Sequence, residues 1–414
     1  VQTLAERVET GNVRIAVIGC GIGGMAAALA LKRAGSDVTI FEKFEAARPL
    51  GAGLLLQPTG LWALRELGLA ETAINAGARV KRLDGRTPAG RLLLDLDYER
   101  WRTGAFGLGI HRASLFSVLH DAIRAEEIPV ALNEEITNIA APWWPTLMSA
   151  SGARFGPYDL VIIADGAHSA LRSTLMPQAR APIYPWGALW TILPDRNGEF
   201  PDTLRQIYRG TQMMIGVLPI GRDPASAEMM PAVSFFWSIM RKDFDAWRRT
   251  PISEWKKDVA RVWPEAESLL APVSAHDEIS AATYSDVRMK TWRNGRLLFL
   301  GDAAHGMSPQ LGQGANLALI DAVLLADTLK RADRARESVE HALYAFERRR
   351  RAHVNYYLYA SRWLTPFFQS NSRLASAFRN VAFPLARNLP FFPGFMMRTL
   401  VGVQRLSFRP FPVP

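Results

Sequence analysis

One local pattern near the start of the 414-residue chain constrains its fold more than any other. Val13–Gly19 (VRIAVIG) is a short apolar, β-branched run that reads as a buried parallel strand. It enters Gly19-Cys20-Gly21-Ile22-Gly23-Gly24, a GxGxxG turn, and then Met25–Ala34, an alanine-rich helix former that Gly35 ends. A second strand, Asp37–Phe41, finishes at Glu42, 18 residues past Gly24. Gly19 permits the tight turn, Gly21 lets backbone approach a pyrophosphate, and Gly24 allows close helix–strand packing. The helix start offers free N–H groups and partial positive charge to phosphates. Glu42 suits ribose hydroxyls and repels a 2′-phosphate. The pattern predicts a site for ADP, and by itself fits either FAD or NAD.

A distant segment separates the two. Arg296–Leu300 (RLLFL) reads as another buried strand, followed by Gly301-Asp302-Ala303-Ala304-His305, Pro309 and Gly312-Gln313-Gly314-Ala315-Asn316. An apolar helix through Leu317, Ile320, Val323, Leu324 and Leu329 follows. A strand ending in Gly-Asp puts a carboxylate against a ribityl–pyrophosphate link. The glycine-rich helix start faces the anion that develops on a reduced flavin. Leu160–Ala164 is a third apolar strand, leading into Asp165-Gly166-Ala167-His168-Ser169-Ala170-Leu171-Arg172. Upstream, Arg112 heads His111-Arg112-Ala113-Ser114-Leu115, a helix start.

These motifs, in this order, resemble the class A flavin monooxygenases with the p-hydroxybenzoate hydroxylase fold, over about Val13 to Val403. The loop Arg48–Pro58 resembles the family segment beside the isoalloxazine, and Leu364–Ser370 resembles ubiquinone-biosynthesis and quinolone or phenol hydroxylases. The resemblance implies an α/β fold in which a Rossmann-like FAD-binding domain is interleaved with a β-sheet substrate domain, plus C-terminal helices. The expected boundaries are 1–80, 111–180 and 286–340 for FAD, 81–110 and 181–285 for substrate, and 341–414 for a helical tail. It also implies that Gly19, Gly21, Gly24 and Glu42 hold the ADP half, and that Arg112 contacts FAD near the pyrophosphate. Asp302 would bind the ribityl–pyrophosphate link, and Gly314, Ala315 and Asn316 would line the flavin ring. Asp165 would help hold FAD and meet NAD(P)H transiently, with Arg48 near the mobile flavin. Gly23, Lys43, Gly53, Leu54, Gly301, Pro309 and Gly312 complete the expected cofactor set.

The implied reaction uses NAD(P)H to reduce non-covalently bound FAD, then O₂ to form a C4a-hydroperoxide that hydroxylates an aromatic or otherwise electron-rich small molecule. The absence of a second GxGxxG turn from the sequence suits a nicotinamide that visits without its own domain. Trp186–Pro194, Gln206–Pro219 and Val233–Met240 read as strands of the substrate domain, with Leu55, Trp190, Met214, Phe235, Trp237 and Pro309 as expected pocket walls. His305 is the candidate general base, although motif histidines are more often structural. Two alternatives share the cofactor reading: a flavin reductase or oxidase without oxygen insertion, and a non-catalytic flavoprotein that recruits a membrane or partner. A halogenase is not expected, because Trp186–Pro194 departs from the WxWxIP spacing.

Composition bounds the setting. Apolar residues make up 49% and charged residues 21%, as in a globular chain able to bury a large core. Cys20 is the one cysteine, which rules out an internal disulfide and a CxxC metal site and fits a reducing, cytoplasmic setting. No secretory signal or spanning apolar run is read from the sequence. From 348 to 414 there are 11 Arg and no Lys, Asp or Glu, so the net charge of +10 lies in this tail, together with 13 aromatics. Two readings follow: peripheral contact with anionic lipid or an acidic partner, or helices packing aromatics on the body with arginines in solvent. Nucleic acid is not an expected partner, because no binding module accompanies the basic residues.

Overall fold

The computed structural model describes residues 13–46, 52–223, 230–386, 388–406 and 410–411. Its framework is a six-stranded sheet. Strands Arg293–Asn294, Leu297–Phe299, Leu160–Ile163, Arg14–Ile18, Asp37–Phe41 and Val130–Ala131 lie side by side in that order. All pairings are parallel except the one at the Arg293–Asn294 edge. The three apolar runs met in the sequence are thus neighbours, in the register Ile18↔Ile163 and Ile163↔Phe299. Continuous apolar strands are what a sheet covered on both faces requires. Ile15, Val17, Leu160, Ile162, Leu297 and Leu298 are all 0 to 1% exposed.

Helix Ile22–Arg33 covers this sheet and packs on helix Gly314–Arg334. A Cβ on Gly23 would stand 3.3 Å from the Ala318 Cβ, and one on Gly24 would strike the Gly19 carbonyl at 2.0 Å. The missing side chain of Gly23 therefore serves helix–helix contact, while its backbone lies in the first turn of the helix.

A seven-stranded sheet forms the second layer, with strand order Ser280–Ser285, Ile183–Pro194, Pro231–Met240, Met213–Arg222, Thr203–Arg209, Arg82–Arg86 and Leu92–Asp97. Gln206–Pro219, expected as one strand, is divided between two antiparallel strands. Gly210, at φ +61°, makes the turn that reverses the chain. A small antiparallel sheet of Gly53–Leu56, Gly107–His111 and Ala78–Val80 lies between the layers. Its approach to the larger sheet is close enough that a Cβ on Gly109 would meet the Pro219 carbonyl at 1.9 Å.

Helices Val339–Phe368, Arg373–Ala386 and Phe392–Val401 complete the chain. The last of them adds Met397, Leu400 and Val401 to the apolar face of the seven-stranded sheet. Arg350 and Arg379 are 0% exposed, whereas Trp363 is 64% and Phe391 84% exposed. The packing reading of the tail, with arginines outside and aromatics inside, is thus reversed at these positions. Among the described residues no helix is long and apolar enough to cross a membrane.

Candidate cofactor and substrate site

The parallel strands deliver the sequence motifs to one edge. Gly19, Glu42, Asp165 and Asp302 all follow the carboxyl ends of adjacent strands, where an open α/β sheet binds its ligands. Gly19 has φ +104°, and a Cβ there would stand 2.5 Å from the Ala164 carbonyl, so the turn accepts only glycine. A Cβ on Gly21, Gly166 or Gly312 would project into open space, as a cradle for a ligand requires. Helix Ile22–Arg33 has neither a side-chain cap nor an acid in its first turn, and neither does helix Gly314–Arg334. Both starts keep their N–H groups and positive dipole ends available to an anion.

The acidic groups are placed differently. Glu42 is buried and accepts the Cys20 N–H at 2.8 Å and the Phe44 N–H at 3.2 Å. Burial, with Glu42 adding to it, pushes the Cys20 thiol up to about 12, which keeps it protonated and unreactive. Asp165 has a buried Oδ1 with no partner, and burial raises its carboxyl against the pull of Ser169 and Arg172. An orphaned carboxylate oxygen beside an open glycine turn fits a polar ligand. Asp302 is exposed, and its Oδ1 lies 3.6 Å from the Cβ position of Gly314. Arg172 ties two of the motifs together by donating to the Ala303 carbonyl at 2.9 Å and the Ala167 carbonyl at 2.6 Å.

Of the other expected ligands, Arg112 is exposed at the head of helix Arg112–Ala125, and Lys43 is exposed beside Glu42. Gly301, at φ +61°, turns the chain into the short helix Asp302–His305. Pro309 and Gly312 bound a turn of 3-10 helix ahead of Gly314. Ala315 and Leu54 are half-buried, while a Cβ on Gly53 would meet Ser234 at 2.5 Å, so Gly53 serves sheet packing. Arg48 lies outside the described residues. Asn316 is fully buried and spends its carboxamide on the Gln57, Leu55 and Gly312 backbone, which leaves only its backbone for the expected place along the ring.

His305 is also corrected. It is 1% exposed, with its Nε2 donating to Asp321 Oδ2 at 2.6 Å and its ring against Trp292. Asp321 also accepts from Arg350 Nε at 2.7 Å and holds the Gly301 N–H at 3.4 Å. Burial would raise the Asp321 carboxyl, but Arg350 and His305 hold it below the ordinary range. Arg350 in turn donates to His353 Nδ1, while His353 Nε2 donates to the Gly402 carbonyl at 2.6 Å. Burial and Arg350 keep His353 well below its usual value, in the neutral form this pattern needs. The chain of buried polar groups braces the Gly-Asp turn from behind. A histidine enclosed there has no route to a substrate proton.

The candidate pocket wall is one face of the seven-stranded sheet. Trp190 and Met214 share it with Leu218 and Phe236, and Leu55 packs against it. The Trp190 and Phe236 rings lie 5.0 Å apart, and Trp190 Nε1 donates to the Tyr284 hydroxyl at 3.2 Å. Phe235 and Trp237 occupy the opposite face, against Trp255 at 6.1 and 5.8 Å. Alternation along the strand turned them away from the wall expected for them. Sequence reasoning also missed the buried pair Gln57 and Tyr98, joined by a 2.7 Å hydrogen bond that leaves Gln57 Nε2 unpartnered. Gln57 lies in the loop 48–58 already singled out, but no local motif marks Tyr98 or the pairing. Gln313 donates to the Leu400 carbonyl at 2.7 Å and Thr59 to the Val401 carbonyl at 3.1 Å, fastening the last helix over this region.

The comparisons with known proteins agree with this geometry. Residues 12–358 match the family described as FAD binding domain. A 3-amino-4-hydroxybenzoate 2-monooxygenase of Streptomyces platensis is 31% identical over 79% of this chain and 82% of its own length. A 2-heptyl-3-hydroxy-4(1H)-quinolone synthase of Mycobacteroides abscessus is 29% identical over 75% of this chain and 80% of its own. Klebsiella pneumoniae HpxO, solved with FAD and uric acid, superposes with a TM-score of 0.78 at 20% identity, over 94% of this chain and 97% of that one. The fold, the three motifs at one sheet edge and the family match converge: the chain belongs to the FAD-binding-domain family of class A flavin-dependent aromatic monooxygenases.

Proposed function

We propose that this enzyme hydroxylates an electron-rich aromatic ring bearing an apolar substituent, with NAD(P)H as transient reductant and O₂ as oxygen donor. The observation that carries the substrate class is the wall of Leu55, Trp190, Met214, Leu218 and Phe236, whose polar neighbours Gln57, Tyr98 and Tyr284 are neutral. Burial raises the Tyr98 hydroxyl and pushes that of Tyr284 up to about 12, so neither removes a phenolic proton near neutral pH. The proposed ring is accordingly one that is nucleophilic through its own amino or hydroxyl substituents. The substituted benzoate and heptylquinolone in the names of the two relatives share that character.

Bound FAD would supply hydride acceptance and oxygen activation. Gly19, Gly21 and Glu42 would hold its ADP half, Arg112 the pyrophosphate region and Asp302 the ribityl–pyrophosphate link, with Asp165 helping to hold FAD and meeting NAD(P)H. Gly314 and Ala315 would turn the positive end of their helix toward the ring, with Leu54 and Pro309 beside it. The wall and the last helix would exclude water from the reacting ring. A screen of phenols, aminobenzoates and alkylquinolones for stimulated NAD(P)H consumption tests the reading, with products weighed for one added oxygen. Stimulation without oxygen gain contradicts it. The same reading places the enzyme in the cytoplasm, in peripheral contact with a membrane through its C-terminal segment.

A further inference from the structure

Helix Arg373–Ala386 is amphipathic in an inverted sense. Leu374, Phe378, Val381 and Leu385 follow one another at spacings of four, three and four, which puts them on one face. They are 84, 57, 54 and 64% exposed. The opposite face holds the buried Arg379, which donates to the Phe367 carbonyl at 3.0 Å and stacks over Tyr208 and Phe368. The helix is therefore anchored to the body by its arginine and turns its leucines outward. The apolar face continues through Phe378, whose ring lies 5.7 Å from Phe367, to the exposed Trp363, 5.3 Å further on.

We infer that this face docks on the surface of an anionic phospholipid bilayer. The inference deepens the peripheral contact proposed above and rests on that reading. Charge argues for lipid over other occupants. The chain from 348 to 414 contains no Asp or Glu, and Arg373 is exposed on the helix that carries the face. Arg209 is exposed next to Gly210, whose Cβ position is 4.0 Å from the Ser376 hydroxyl. An apolar stripe with large aromatics and flanking arginines matches the acyl boundary and headgroup layer of an anionic membrane. A second copy of this chain would bring like charge to like charge. The helix that follows, Phe392–Val401, reaches the pocket side of the seven-stranded sheet through Met397 and Leu400. The docked face is thus continuous with the elements that cover the substrate wall.

Flotation of the FAD-loaded full chain tests this, with vesicles of phosphatidylcholine alone or mixed with phosphatidylglycerol. The wild type is expected to float with the anionic vesicles, and added salt to weaken binding. The triple variant Leu374→Ser, Phe378→Ser, Leu385→Ser should keep its FAD and lose at least about tenfold in binding, since burial of these side chains drives insertion. Arg373→Gln gives a milder, charge-specific loss. No flotation by the wild type, equal flotation with both vesicle types, or equal flotation by the triple variant would each overturn the inference. A wild-type dimer dissolved by the triple variant would overturn it in favour of a second copy. Hydroxylation of a water-soluble aromatic is measured without vesicles, so a failed flotation leaves the flavin chemistry intact.

Discussion

The Asn316 carboxamide accepts the backbone N–H of Gln57 at 2.8 Å, across 259 residues of chain. The same group donates to the Gly312 carbonyl at 2.9 Å, and a Cβ on Gly60 would strike its Oδ1 at 2.1 Å. One side chain thus fixes the distance between segment 53–58 and the start of helix Gly314–Arg334. Asn316→Ala leaves the buried Gln57 N–H unpaired, at a cost of about 1–3 kcal/mol. Chemical unfolding of the FAD-loaded protein should show that loss, and FAD titration should show weaker binding.

Asp302 tests the cofactor assignment without disturbing the core, because its carboxylate is exposed. Asp302→Ala should purify folded and largely colourless, whereas the wild type is yellow. The ratio of flavin absorbance to protein concentration checks this, and full occupancy in the variant contradicts the assigned role.

His305→Asn separates bracing from catalysis. A general base contributes roughly 10²–10⁴-fold to rate. Enclosed against Asp321 and Trp292, His305 should change the rate of the FAD-loaded enzyme little while lowering its thermal midpoint. A rate loss of that size with unchanged stability would restore it as a base.

The buried Asp321 sets an acid limit on stability. Its carboxyl is held below its unfolded value by Arg350 and His305 against the opposing effect of burial. Such a group contributes stability that is fully present above the unfolded value and is lost as pH falls through the folded one. Stability should therefore fall steeply below about pH 4, the ordinary carboxylate range. Asp321→Asn should be less stable at neutral pH and show a shallower acid slope in pH-dependent unfolding.

The sequence made the nucleotide edge legible because strand, turn and helix start are local patterns there. Gly19, Glu42 and Asp302 stand out from their flanking strands and turns and Asp165 through the family resemblance, and parallel pairing brings the four to one edge. The pocket wall was legible by halves. Phe235 and Trp237 look no different in sequence from Trp190 and Met214, and only the neighbours above and below the sheet decide which face is covered by Trp255 and which by Leu55. Tyr98, Asp321 and the pairing of Tyr98 with Gln57 were invisible, since the partners lie 16 to 41 residues apart and no motif records such pairings. The tail misled in its charge: Arg350 and Arg379 are buried because Asp321, carbonyls and aromatic faces receive them.

The most direct test of the central claim is the origin of the oxygen in the product. With an aromatic compound that stimulates NAD(P)H consumption, the FAD-loaded enzyme under ¹⁸O₂ should yield product carrying one ¹⁸O atom. Label arriving only from H₂¹⁸O, or an oxidised product with no oxygen gained, would contradict it.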